Sequence, residues 1–187
     1  SNYYHYSREN ISNYITKQKF SRILEIGCGI GHSTAQLAKK SKADWCGADI
    51  SQTAINKATV TYPDLNFFRM DVCDISNDFS NLFNMKFDCI ILNQVLWYIM
   101  HAMPDVKKTL LKLLTCNGHV IFSTAFLNEQ RYGKEYFQGN SGFNHYIEQH
   151  WSDFFDLYFQ QYDSSDTYNY HDGLLCLKRN RRRYELF

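Results

Sequence analysis

No long apolar run, no surplus of charge of either sign and no zinc-type cysteine pair occur in this chain, and each absence removes a class of function. The longest strongly apolar stretch lies near Cys89–Leu92. That is far short of the roughly 20 residues a membrane-spanning helix needs, so no membrane partner is expected. Lysine and arginine number 20 against 19 acidic residues, for a formal net charge of +1, so no broad basic field calls for nucleic acid. The one basic run, Lys178-Arg179-Asn180-Arg181-Arg182-Arg183, is expected to be a solvated tail. None of the cysteines (Cys28, Cys46, Cys73, Cys89, Cys116, Cys176) forms a C-x-x-C pair, and no metal site is expected. Most sit in or beside expected strands, which suits reduced, small apolar side chains and a cytoplasmic setting. The opening Ser1-Asn2-Tyr3-Tyr4-His5 lacks the pattern of a secretory leader. Internal repeats, low-complexity tracts and linkers are missing too, so one domain over residues 1–187 is expected.

What the chain does have is an alternation of short apolar runs with helix-period segments, the signature of βαβ units and a largely parallel sheet. Residues 7–19 read as an opening helix with Ser7 as N-cap. Strands are expected at Arg22–Ile26, Asp44–Asp49, Asn66–Met70, Asp88–Leu92 and His119–Ser123. Helices fall between them at His32–Lys40, from Ser51 to about Thr61 ahead of Pro63, and at Asp105–Leu114. Residues 126–146 hold three glycines and no clean period and read as a partly irregular segment. Ile147–Phe159 reads as an amphipathic helix. Two strands near Gln160–Ser165 and Gly173–Lys178 close the chain as antiparallel neighbours.

The strongest chemical signal is Glu25-Ile26-Gly27-Cys28-Gly29-Ile30-Gly31, where a strand runs into alternate glycines and then a helix. Glycines there permit positive φ and let backbone approach a ligand closely. The dinucleotide fingerprint G-x-G-x-x-G would need a third glycine where His32 stands, which argues against a nicotinamide oxidoreductase. An acid ahead of the loop, Glu25, suits a ligand carrying an ammonium or sulfonium. Asp49 ends the second strand about 20 residues on, the spacing of an acidic ribose ligand, with Ile50 beside it. Asp71 and Val72 end the third strand, suited to an adenine amino group and ring. Asn93, Gln94 and Val95 leave the fourth. All lie at carboxyl ends of parallel strands, where open α/β sheets bind ligands.

These residues give the chain its resemblance to class I S-adenosylmethionine-dependent methyltransferases. Glu25–Gly31 resembles their motif I, Asp49 their motif II acid and Met70-Asp71-Val72 their adenine motif. Leu113–Ile121 resembles their turn into strand five. The resemblance covers about residues 20–179. It implies an α/β, Rossmann-like, seven-stranded and mostly parallel sheet flanked by helices, in order 3-2-1-4-5-7-6 with strand 7 antiparallel. It implies S-adenosyl-L-methionine as cofactor and S-adenosyl-L-homocysteine as its product. The cofactor-binding set is Glu25, Gly27, Cys28, Gly29, Gly31, Asp49, Ile50, Asp71, Val72, Asn93, Gln94 and Val95. Within the one domain, residues 1–19 would form a lid or helix, 20–125 the cofactor half, and 126–187 the acceptor segment and closing strands. Many relatives carry an acid and a histidine where this chain has Trp97 and Tyr98, so a histidine-based mechanism does not carry over at that point.

A hydroxyl or ammonium acceptor must lose a proton during methyl transfer, whereas carboxylate and phosphate oxygens need no base. The catalytic candidates are Tyr98, His101 and His145. Tyr3, Tyr6, Arg8, Trp97, Tyr132 and Tyr136 are candidates for the acceptor pocket or lid, with packing as the alternative for the Tyr-rich start and for Trp97. The tyrosines favour a small polar acceptor, such as a sugar, or a phosphate-bearing metabolite if Arg8 or Arg131 faces the cleft. A catalytically silent cofactor-binding protein is the alternative from another class. Oligomeric state is not legible.

Overall fold

The computed structural model describes residues 5–76, 86–127, 129–162 and 170–180. Its elements, in chain order, are α1 (His5–Gln18), β1 (Arg22–Ile26), α2 (His32–Ala38), β2 (Asp44–Asp49), α3 (Gln52–Thr61), β3 (Asn66–Arg69), β4 (Phe87–Asn93), α4 (Leu96–Ile99), α5 (Met103–Leu113), β5 (Leu114–Leu127), α6 (Gly139–Trp151), β6 (Phe155–Tyr162) and β7 (Tyr170–Arg179). A short 3-10 turn, Met100–Ala102, joins α4 to α5.

The strands form one sheet in the order β3-β2-β1-β4-β5-β7-β6. The pairs from β3 to β5 are parallel, and β7 runs antiparallel to both β5 and β6. Helices on both faces hide the central strands, so these read as continuous apolar runs. Side chains then divide by pleat. Phe87, Ile90 and Leu92 of β4 join one core with Leu24, Val120, Phe122, Leu110, Phe143 and Trp151. Cys89 and Ile91 of β4 point the other way, into a core with Ile11, Tyr14, Ile15, Leu37 and Trp45. Cores of this kind contribute roughly 1.5–3 kcal/mol per buried large side chain before chain entropy is counted. The Ser51 side chain accepts from the Ala54 N–H at 3.2 Å and caps α3 as expected.

Several boundaries differ from the sequence reading. Helix α1 begins two residues before Ser7, which is buried within it instead of capping it. Strand β5 begins at Leu114, with a register shift opposite Phe87 and Cys89 that accommodates the Asn117-Gly118 turn. The expected helix Ile147–Phe159 is in fact the last part of α6 followed by β6: the helix starts at Gly139 and ends at Trp151. Phe143, Ile147 and Trp151 recur every fourth residue and form its buried stripe. The basic run is no solvated tail at its start. Lys178 and Arg179 belong to β7, and buried Arg179 donates through Nη1 to the carbonyls of Leu111 and Leu114, both at 2.8 Å. This satisfies carbonyls that the end of α5 leaves open. Residues 181–183 of that run, and Tyr3, lie outside the described residues.

Candidate active site

The carboxyl ends of β1, β2, β3 and β4 converge on one cleft of about 570 Å³. Of the candidate residues it is lined by Gly27, Asp49, Ile50, Asp71, Val72, Asn93, Gln94, Val95, Tyr98 and His101. Ile26, Met70, Cys73 and Ile99 also line it and were missed by sequence reasoning. Cys73 had a readable signal: it follows Asp71 by two residues, and its N–H donates to Asp71 Oδ1 at 2.9 Å. Burial pushes its thiol up to about 11, so it enters the cleft as a neutral, soft surface.

Each carboxylate in the cleft wall is oriented by backbone. Asp49 Oδ2 accepts from the Gly29 N–H at 2.8 Å, and its Oδ1 accepts from the Ser51 N–H at 2.9 Å. One charged side chain therefore locks the glycine loop to the start of α3 while each oxygen keeps a lone pair for a ligand. Asp71 has Oδ1 engaged by Cys73, as above. Ile50 is exposed although large and apolar, and Val72 is buried. The pair offers apolar surface between the two acids.

The glycine loop closes under this wall. Gly27 and Cys28 both donate their N–H groups to the Ala48 carbonyl, at 2.7 and 3.0 Å. Cys28 is buried, and burial with the charges of Glu25 and Asp49 drives its thiol pKa far up. A side chain added at Gly29 would meet no protein atom within 4 Å, so the loop leaves open space there.

Glu25 lies deeper than its neighbours. It is almost fully buried, and Oε2 accepts from the Thr34 hydroxyl at 2.5 Å while Oε1 faces Asn93 Nδ2 at 3.4 Å. Burial raises its pKa, and the bonds from Thr34, Ser33 and Asn93 pull the other way. Asn93 also donates to the Ser33 hydroxyl at 3.1 Å. Glu25 thus reaches the cleft wall through Asn93 and is not itself a lining residue. Next to it Gln94 holds a positive φ of 59°, an uncommon state for a non-glycine residue. Its N–H donates to the Ser123 carbonyl at 2.7 Å, and its Oε1 accepts from the Ala125 N–H at 3.0 Å. Strand β5 therefore holds the turn that carries Asn93 to Val95 over the cleft.

A second chamber, about 420 Å³, is lined by Trp97, Tyr98, Leu127, Gln130, Arg131 and Tyr132. Tyr98, largely exposed, lines both chambers. The remaining candidates are not brought together with these. His145 is exposed on α6, and Tyr136 lines neither chamber. Arg8 lines a separate groove with Gln36, Lys39 and Lys40 between α1 and α2. The Tyr6 side chain lies outside the described residues, although its backbone belongs to α1.

A methyltransferase domain model matches residues 17–165. The chain belongs to the methyltransferase domain family. Its methyltransferase fold is shared with solved structures of low sequence identity. The N-methyltransferase NodS from Bradyrhizobium japonicum WM9 superposes with a TM-score of 0.71 at 19% identity, covering 96% of this chain and 98% of that one. NodS in complex with S-adenosyl-L-homocysteine gives 0.70 at 20% identity, over 96% and 89%. Magnesium protoporphyrin IX methyltransferase from Synechocystis PCC 6803, with bound SAM, gives 0.65 at 17% identity, over 93% and 78%. At such identities the likeness establishes the fold. No curated protein matches the sequence. Among the described residues of this methyltransferase domain, no helix is long and apolar enough to cross a membrane.

Proposed function

We propose that this chain transfers a methyl group from S-adenosyl-L-methionine to an oxygen or nitrogen of a small polar metabolite. The observation that carries the reading is the convergence of Gly27, Asp49, Ile50, Asp71, Val72 and Asn93 on one cleft that shares Tyr98 with a second chamber. The cleft residues fit that cofactor. Asp49 keeps free lone pairs for ribose hydroxyls, Asp71 for an adenine amino group, and Ile50 and Val72 flank the space for the ring. The space left open beside Gly29, which does not itself line the cleft, lets its backbone be approached without a Cβ in the way. Asn93, backed by Glu25 and Ser33, is poised for the polar amino-acid end.

The cofactor, when bound, supplies an activated methyl on a sulfonium for in-line displacement. The protein's task is then alignment, which converts a bimolecular reaction into a positioned one. Tyr98 and His101, which line the cleft, are the candidates for taking a proton from a hydroxyl or ammonium acceptor. His145 lies on α6 and lines neither chamber. Incubation with methyl-labelled donor and a panel of metabolites tests the reading. Label recovered in a small molecule supports it; label recovered in macromolecules alone overturns it.

A further inference from the structure

The second chamber is built unlike the first. The cofactor cleft carries the carboxylates of Asp49 and Asp71, whereas among the described residues Arg131 is the single charged one lining the second chamber. The rest of that lining is Trp97, Tyr98, Leu127, Tyr132 and Gln130. Leu127 and Tyr132 are exposed there although large and apolar. No hydrogen bond or ion pair engages Arg131 among the described residues.

Trp97 and Gln130 are held in place by hydrogen bonds. Trp97 donates through Nε1 to the Ala125 carbonyl at 3.0 Å and meets Phe126 edge-on, ring centroids 5.6 Å apart. Gln130 is buried, and its amide makes three bonds across the segment that follows β5. Nε2 donates to the carbonyls of Tyr132 and Phe137, at 2.7 and 2.9 Å, and Oε1 accepts from the Gly139 N–H at 2.7 Å. Gly133, with φ of 68°, lets the same segment lie against Met100, where an added methyl would collide. Arg131 is therefore an exposed cation on a stapled loop, beside aromatic and aliphatic side chains. A guanidinium in that setting favours a planar anion.

Resting on the proposed methyl transfer, we propose that the acceptor is a small metabolite with one apolar face, such as an aromatic ring, and one anionic group. The ring lies against Trp97, Tyr98, Leu127 and Tyr132, and the anion pairs with Arg131. Gln130 is a positioning residue that holds Arg131 at the chamber. The acceptor's polarity is thus concentrated in one charge instead of being spread over many hydroxyls. The methylated atom is a separate hydroxyl or amine, since a carboxylate held by Arg131 is a poor nucleophile.

Naphthoate and its neutral amide, naphthamide, are suitable probes, their binding to the full chain read by calorimetry. Wild type should bind naphthoate about tenfold or more tightly than naphthamide, a gap of roughly 1.4 kcal/mol. Arg131→Gln should erase that preference, and Arg131→Lys should restore part of it. Gln130→Met should shrink the preference while affinity for S-adenosyl-L-homocysteine, measured calorimetrically on the same samples, stays at the wild-type value. Equal binding of the two probes by wild type, or a preference that survives Arg131→Gln, overturns the inference. Because the Arg131 variants change an exposed side chain, they decide the matter even if Gln130→Met fails to fold. Absence of S-adenosyl-L-homocysteine binding in wild type overturns the methyl-donor reading instead, and the probe ratio still decides the chemistry of this chamber.

Discussion

Gly27, Gly29 and Gly31 all take positive φ, at 78°, 54° and 79°, yet an added methyl would meet different surroundings at each. At Gly27 it would run into Val95, and at Gly31 it would come within 2.6 Å of the Phe67 ring. At Gly29 it would enter the open volume. Gly27→Ala should therefore lower thermal stability, because Val95 and the α4 entry must shift. Gly29→Ala carries only the left-handed strain of about 1–2 kcal/mol and should still fold, but its affinity for S-adenosyl-L-homocysteine should fall by about tenfold or more. A melting curve and a titration on each variant separate the two effects; normal cofactor-product affinity in Gly29→Ala would mean the ligand lies elsewhere. Asp49 admits a similar separation. Asp49→Asn keeps a carbonyl for the Gly29 N–H but loses the charge and the acceptor for the Ser51 N–H, so stability should fall by about 1 kcal/mol. Affinity should drop by about 1.5–3 kcal/mol, the range for a hydrogen bond to a charged group, and calorimetry reads this directly.

At the scale of elements, α1 is held to the sheet through Tyr14 and His119. The Tyr14 hydroxyl and His119 Nδ1 lie 2.7 Å apart, buried, with Phe20 and Tyr158 packed on the imidazole. Burial, with Lys178 nearby, pushes the His119 pKa down to about 4. An unfolded histidine titrates near 6.5. Between those two values the unfolded chain binds a proton that the native chain refuses, so native stability is full above about pH 6.5 and declines as pH falls toward 4. The loss attributable to His119 should approach roughly 3 kcal/mol. Urea unfolding near pH 7 and near pH 4.5 should show a wild-type decline larger than that of His119→Phe by about this amount. Matching slopes in the two proteins would rule His119 out as the cause.

Elements also mark where the sequence was readable. The central strands were plain because burial on both faces makes them unbroken apolar runs, as in Cys89–Leu92. The α6–β6 boundary was not. Asn140, Ser141 and Gly142 are weak helix formers, so the start of α6 looked irregular although Phe143, Ile147 and Trp151 already marked its stripe. Phe154 to Phe159 then read as more helix. As the edge strand, β6 leaves Leu157, Tyr158 and Phe159 all exposed, and no two-residue alternation survives to announce it. The acids and glycines of the cleft were legible because they sit at strand ends. Gln130 was not, since its value comes from carbonyls up to Phe137 that only the folded loop brings to it. The Arg179 anchor was hidden because a buried arginine looks, in sequence, like part of a basic tail.

For the whole molecule, the decisive property is that one ligand should touch four strand ends at once. Gly27 follows β1, Asp49 ends β2, Asp71 follows β3 and Asn93 ends β4. A ligand spanning them binds the native sheet and has no site on the unfolded chain, so its binding energy is added to global stability. At a concentration a hundred times its dissociation constant, S-adenosyl-L-homocysteine should add about 2.7 kcal/mol. For a domain of this length that corresponds to a rise in Tm of about 5–10 °C. NAD should produce no comparable rise, because His32 stands where a dinucleotide loop needs glycine and the cleft wall presents acids to a pyrophosphate. Gly29→Val, whose branched side chain enters the open volume, should melt at a temperature that S-adenosyl-L-homocysteine does not change. A scan in which NAD stabilises and S-adenosyl-L-homocysteine does not would reverse the assignment of the cleft while leaving the fold intact.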